Sequence, residues 1–158
     1  MGGETGANPT DRAKKGTKRS LLVDGNGIPV ALAVDGANWH DRKLVQATFE
    51  NMASHRPLPG DDEPQNVCLA KGYDSVKVEA LLLEWGFVPH IQARGQEATA
   101  KREIPGYRAR RWVVVRSHSW MNRFRRLLIR WEKKVANYEA LLHLACAFIT
   151  FRRAGLFG

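Results

Sequence analysis

The stretch KRSLLVDGNGIPVALAVD, residues 18–35, constrains the fold more than any other part of the chain. Two apolar runs flank Asp24-Gly25-Asn26-Gly27, and a tight glycine-bearing turn between such runs specifies a β-hairpin. Asp41 follows where it can cap a helix over RKLVQATFENMASH. RPLPGDDEPQ, with three prolines and three acids, reads as a loop. NVCLA is the next strand, and Asp74 or Ser75 can cap a helix over VKVEALLLEW. Gly86 ends that helix ahead of a short strand, FVPHI. Beyond the polar stretch QARGQEATAKREIPGYRA, the run RRWVVVRSHSWMNRFRRLLIRWEKK is expected as one long basic helix, and Asn137 as the cap of a last helix, YEALLHLACAFITFRR. Residues 1–16 are Gly-rich and polar, a loose lead-in. The order β-β-α-β-α-β-α-α implies a layered α/β domain spanning 1–158, without internal repeats.

A chain of 158 residues with 44% hydrophobic content and five Trp is long and apolar enough to bury a core. Cys68 and Cys146 both sit in apolar runs, which implies buried, reduced thiols and a cytoplasmic setting rather than a disulfide framework. The opening residues lack the apolar stretch of a signal peptide. The longest apolar run, ALLHLACAFITF, is too short to span a bilayer and contains His143, so no membrane partner is expected.

Charge is concentrated rather than spread. The formal total is +9, yet residues 1–100 hold 11 Lys and Arg against 13 acids, whereas residues 101–134 hold 12 against 2. One basic block of this kind is the footprint of phosphate-backbone binding, with a solvated basic helix as the alternative. On a helical wheel of that block, Trp120, Phe124, Leu127, Leu128, Trp131 and Val135 form an apolar arc. Arg116, Arg123, Arg130 and Lys134 align beside it, and Arg126 and Lys133 widen the basic face. Arg110 and Arg111 extend it N-terminally, His118 is a candidate phosphate or base contact, and Trp120 is either a base-stacking or a core aromatic. Val115 falls opposite the apolar arc, where burial does not account for it. Ala70, ending a strand just before KGYD, likewise holds a place where many α/β enzymes carry a carboxylate.

With these two oddities in view, the chain resembles the DDE transposases of bacterial insertion sequences. The likeness is carried by GTKRSLLVDGNGIPVALAVDGANWHD, LAKGYD, IPGYRARRWVVVRSHSWMNRFRRLLIRWEKK and NYEALLHLACAFITFRRAG. It implies a ribonuclease-H-like mixed sheet flanked by helices. In that family three carboxylates hold two Mg²⁺ or Mn²⁺ ions, which activate a water or a DNA 3′-hydroxyl for attack on a phosphodiester. The resemblance puts the second family acid at Ala70 and the third, a glutamate, at Val115. The first lies on a strand preceding the region that matches Gly2 to Lys18, so the sheet is expected to lack its first strand and the chain to be a C-terminal portion.

Substitutes for the acids are poor candidates. Asp74 reads better as a cap, Glu103 and Glu132 lie at least 12 residues from Val115, and Asn38, His40 and Asp41 suit capping and turn duty better than metal binding. The implied protein is a transposase-like chain inactive on its own and without bound metal. Its partners would be element-end and target DNA, with a second copy or a full-length transposase as a protein partner. A non-catalytic DNA-binding regulator of transposition is the alternative.

Overall fold

The computed structural model describes residues 4–52, 56–57, 59–60, 62–91, 99, 102–103 and 112–155. The architecture is mixed α/β, in two compact units: Met1–Ser54 with Val113–Gly158, and His55–Trp112.

In the first unit the expected hairpin forms. Strand β2 (Lys15–Val23) pairs antiparallel with β3 (Pro29–Gly36), in register from Thr17 opposite Gly36 to Leu22 opposite Ala31. The turn is held by Asp24, whose Oδ1 accepts from the backbone N–H of Asn26 at 2.9 Å and of Ile28 at 2.8 Å. Within the lead-in, Gly6–Ala7 forms a two-residue strand, β1, on β2.

Helix α1 (Asp41–Glu50) lies against this sheet through Leu44, Val45, Thr48 and Phe49. Its cap differs from expectation. His40, in extended conformation, is the N-cap, and its Nδ1 accepts from Arg42 N–H at 3.4 Å. Asp41 stands instead in the first turn, ion-paired with Lys18 of β2 at 2.9 Å. A partner on the sheet, beyond the reach of local sequence rules, thus draws the carboxylate away from the cap. At the buried interface Thr48 Oγ1 lies 2.7 Å from Ser20 Oγ, so both hydroxyls are satisfied.

The basic run is not one helix. Helix α2 (Val76–Glu84) belongs to the second unit; the run itself divides into α3 (Trp112–Asn122), a single turn α4 (Arg125–Leu128) and an irregular stretch before α5 (Val135–Arg153). Tight turns end α3, with Arg123 N–H donating to Trp120 O at 3.2 Å and Phe124 N–H to Met121 O at 3.1 Å. Like charges at helical i,i+3 and i,i+4 spacing, as Arg123/Arg126 and Arg126/Arg130 would be, disfavour a continuous helix. The break lets Met121 and Leu127 both enter the core, and Phe124 pack edge-on against Phe148 of α5 with ring centroids 5.7 Å apart.

That core joins Leu32 and Val34 of β3 to Met121, Leu127 and the inner stripe of α5, Tyr138, Leu142, Ala145 and Ile149. The stripe repeats at helical spacing, and a fully buried leucine such as Leu142 contributes about 1.5–3 kcal/mol. Helix α5 begins before its expected cap: Tyr138 N–H donates to Lys134 O at 3.4 Å, so Asn137 is already inside the first turn.

In the second unit β4 (Gln65–Leu69) pairs parallel with β5 (Phe87–Ile91), and α2 makes the connection. Val78 and Leu82 are its buried residues. Ser75 is the N-cap position, though its side chain makes no capping bond. Gly86 takes the left-handed conformation (φ 74°) that closes α2, as expected. Cys68 is exposed, contrary to expectation, because strand alternation turns Val67 inward and its neighbour out. No described helix is long and apolar enough to cross a membrane.

Candidate nucleic-acid interface

Helix α3 is seated by its own polar side chains on the hairpin turn. Ser117, fully buried, places Oγ 2.7 Å from Gly27 O and 3.1 Å from Val113 O. Its neighbour Arg116 donates from Nη2 to Asn26 O at 2.6 Å and lies over the Trp120 ring at 4.8 Å. Arg153 of α5 covers the same ring at 5.4 Å. Arg116 and Trp120 are therefore engaged in holding α3 to the hairpin and α5. His118 is half-buried; burial, and then the positive charge of Arg19, depress its pKa. Arg110 and Arg111 lie outside the described residues.

Past the helix break, the expected single stripe of Arg116, Arg123, Arg130 and Lys134 dissolves, because the backbone between them is not one continuous helix. Side chains instead point alternately in and out. Arg130 turns inward: Nη1 donates to Thr17 Oγ1 at 2.6 Å, Nε to Glu132 O at 3.0 Å, and the guanidinium covers the Tyr138 ring at 5.1 Å. Glu132 also turns inward, its side chain 8% exposed, and pairs with Arg126 at 3.2 Å. Between them Trp131 faces solvent, as do Leu128 and Ile129. Trp131 and Leu128 were expected in the buried arc; the lost helical phase reverses them. Arg123, Arg125, Arg126, Lys133 and Lys134 are all exposed.

Two members of this surface escape a wheel reading, Arg125 and Trp131. The available signal was Glu132, the lone acid between residues 104 and 134.

At Ala70 and Val115, where the resemblance leads one to expect acids, the side chains are an alanine methyl and a valine isopropyl, which cannot ligate a metal. Ala70 follows β4 directly, exposed and extended, and its carbonyl accepts from Tyr73 N–H at 2.9 Å to close the turn Lys71–Tyr73. Val115 is 60% exposed on α3, while Val113 one turn-face away is buried. Asp74 is exposed and Asp41 is committed to Lys18. Among the described residues no three His, Cys, Asp or Glu side chains gather as a metal site would require.

Comparison with known proteins points one way. The family model described as the transposase DDE domain matches residues 2–149. A candidate transposase for insertion sequence element IS402 from Burkholderia cepacia is 37% identical over 156 residues, covering 96% of this chain and 72% of that protein. No solved structure gives a match. On a likeness that runs from the hairpin through the basic segment into α5, the chain belongs to the DDE-domain transposases.

Proposed function

We propose that this chain takes part in DNA transposition by binding DNA through its basic segment, and that by itself it neither cuts nor joins DNA. The carrying observation is the pair Ala70 and Val115: one exposed beside a strand end, the other 60% exposed on a helix, with a methyl and an isopropyl group where the family resemblance puts carboxylates. Mg²⁺ and Mn²⁺ demand oxygen donors. These residues therefore do not fit the metals that the family uses, whatever precedes residue 1. The ribonuclease-H-like reading is supported within each unit: an antiparallel hairpin sheet covered by helices in the first, and a parallel strand pair joined by a helix in the second.

The DNA side rests on chemistry that survives. Arg123, Arg125, Lys133 and Lys134 are exposed on one short segment and, among the described residues, make no ion pair. Retained binding with lost cleavage also suits a regulator that competes for element ends. Incubating the purified chain with element-end duplex and Mn²⁺ should give no nicks or joined products, while a mobility shift should show binding that weakens steeply with salt. Metal-dependent cleavage would refute the inactivity; equal affinity for element-end and random duplex would leave only charge-driven binding.

A further inference from the structure

We infer that Trp131 is a base-stacking residue, presented by an anchored loop to an unpaired base of DNA. The inference rests on the DNA-binding reading above and goes beyond it by assigning a residue and a strand state. Trp131 is the most exposed of the described tryptophans, at 74%, and among the described residues no ring or cation covers it. Trp120 shows the contrast, with guanidinium groups of Arg116 and Arg153 over its ring.

The exposure is built rather than incidental. Arg130 on one side is tied to Thr17, the Glu132 carbonyl and Tyr138, and Glu132 on the other is turned inward and paired with Arg126. With both neighbours held, the chain between them projects the indole outward at little further ordering cost on binding. Ile129, 59% exposed in an extended conformation, and Leu128 flank it with apolar surface. Arg123, Arg125, Lys133 and Lys134, within eight residues of Trp131 in sequence, are all exposed.

Charge decides the occupant. A segment that exposes apolar side chains among several cations and, among its described residues, a single acid turned inward is repelled by the same segment on a second copy, whereas a polyanion with flat apolar bases satisfies both features. Inside a duplex every base face is already stacked, and opening one step costs a few kcal/mol. A single-stranded or frayed end offers the face freely.

The test titrates the full chain against a labelled oligothymidylate of about 15 nucleotides, long enough for several stacking contacts. A blunt duplex of the same length is titrated in parallel. Trp131→Ala should weaken single-strand binding about tenfold and Trp131→Phe only about twofold, with duplex affinity changed less than about twofold. Unchanged melting of both variants, expected at so exposed a site, keeps the comparison valid. Wild-type single-strand affinity in Trp131→Ala, or an equal loss on duplex, overturns the stacking role while leaving DNA binding intact. A dimer that Trp131→Ala dissociates without change in DNA affinity overturns it in favour of a second copy. Failure of the wild-type chain to bind either DNA removes both readings together.

Discussion

Ser117 and Gly27 meet across the first unit, the buried hydroxyl of one lying 2.7 Å from the carbonyl oxygen of the other. A helix that begins near residue 112 is thereby locked to a turn some 90 residues earlier. Gly27 is left-handed (φ 83°), and a Cβ there would stand 2.9 Å from Ser117 Oγ and 3.0 Å from Arg116 Nη2. Gly27→Ala should therefore destabilise the chain by about 2–3 kcal/mol, combining conformational strain with displaced partners. Gly25→Ala, with nothing within 4 Å of the new Cβ, should stay within about 0.5 kcal/mol. Urea unfolding midpoints measure both, and equal losses would show that the turn, not the contact with α3, sets the cost.

Carboxylates at Ala70 and Val115 should be tolerated. Val115 is exposed in the first turns of α3, where an acid suits the helix dipole, and Ala70 is exposed beside β4. Val115→Glu and Ala70→Asp should each change unfolding free energy by less than about 0.5 kcal/mol. A loss above about 2 kcal/mol in thermal or urea denaturation would mean the fold itself now depends on the apolar residues.

Arg130 and Lys133 should separate anchoring from contact. Arg130→Ala removes the bonds of a half-buried guanidinium to Thr17, Glu132 and Glu4 and its cover of Tyr138, and should destabilise by about 1–3 kcal/mol. Lys133→Ala should leave stability unchanged yet lower the salt slope of DNA binding by about one. The reverse pattern, a stability loss only at Lys133, would exchange their roles.

The pH dependence follows from His118. Burial, and then the charge of Arg19, hold its pKa below the ordinary 6.5. The unfolded chain consequently takes up the proton more readily, so the contribution of His118 to stability is complete above pH 6.5 and is lost as pH falls toward the native pKa. Melting temperature should drop from about pH 7 to about pH 5, and drop less in His118→Gln. Identical slopes in the two proteins would remove His118 as a source.

The two thiols should react unequally. Cys68 is exposed, while burial pushes the Cys146 thiol up to about 11. At about pH 8 a thiol reagent should titrate one equivalent quickly and a second only in denaturant, since the thiolate is the reactive form. Fast reaction of two equivalents in the folded protein would contradict the partly buried placement of Cys146.

Local pattern alone determined much of this protein. The Asp24–Gly27 hairpin, the strand beginning at Phe87, the Gly86 stop and the apolar stripe of α5 were all legible, because turn chemistry and side-chain periodicity act within a few residues. The assignment of Ala70 and Val115 to acid positions rests on the family resemblance alone, carried by the KGYD that follows one and the Val-Val and Arg that flank the other. Tertiary structure decided the rest. A wheel assumes one unbroken helical phase, and the break at Arg123–Phe124 cancelled it, turning Arg130 inward and Trp131 out. The same holds for the α1 cap, where Lys18 on the neighbouring strand, far in sequence, claims Asp41 and leaves the cap to His40. At the cap a long-range partner outweighed a local preference worth only about 1 kcal/mol, and at the break burial of Met121 and Leu127 in the core fixed where the helix ends.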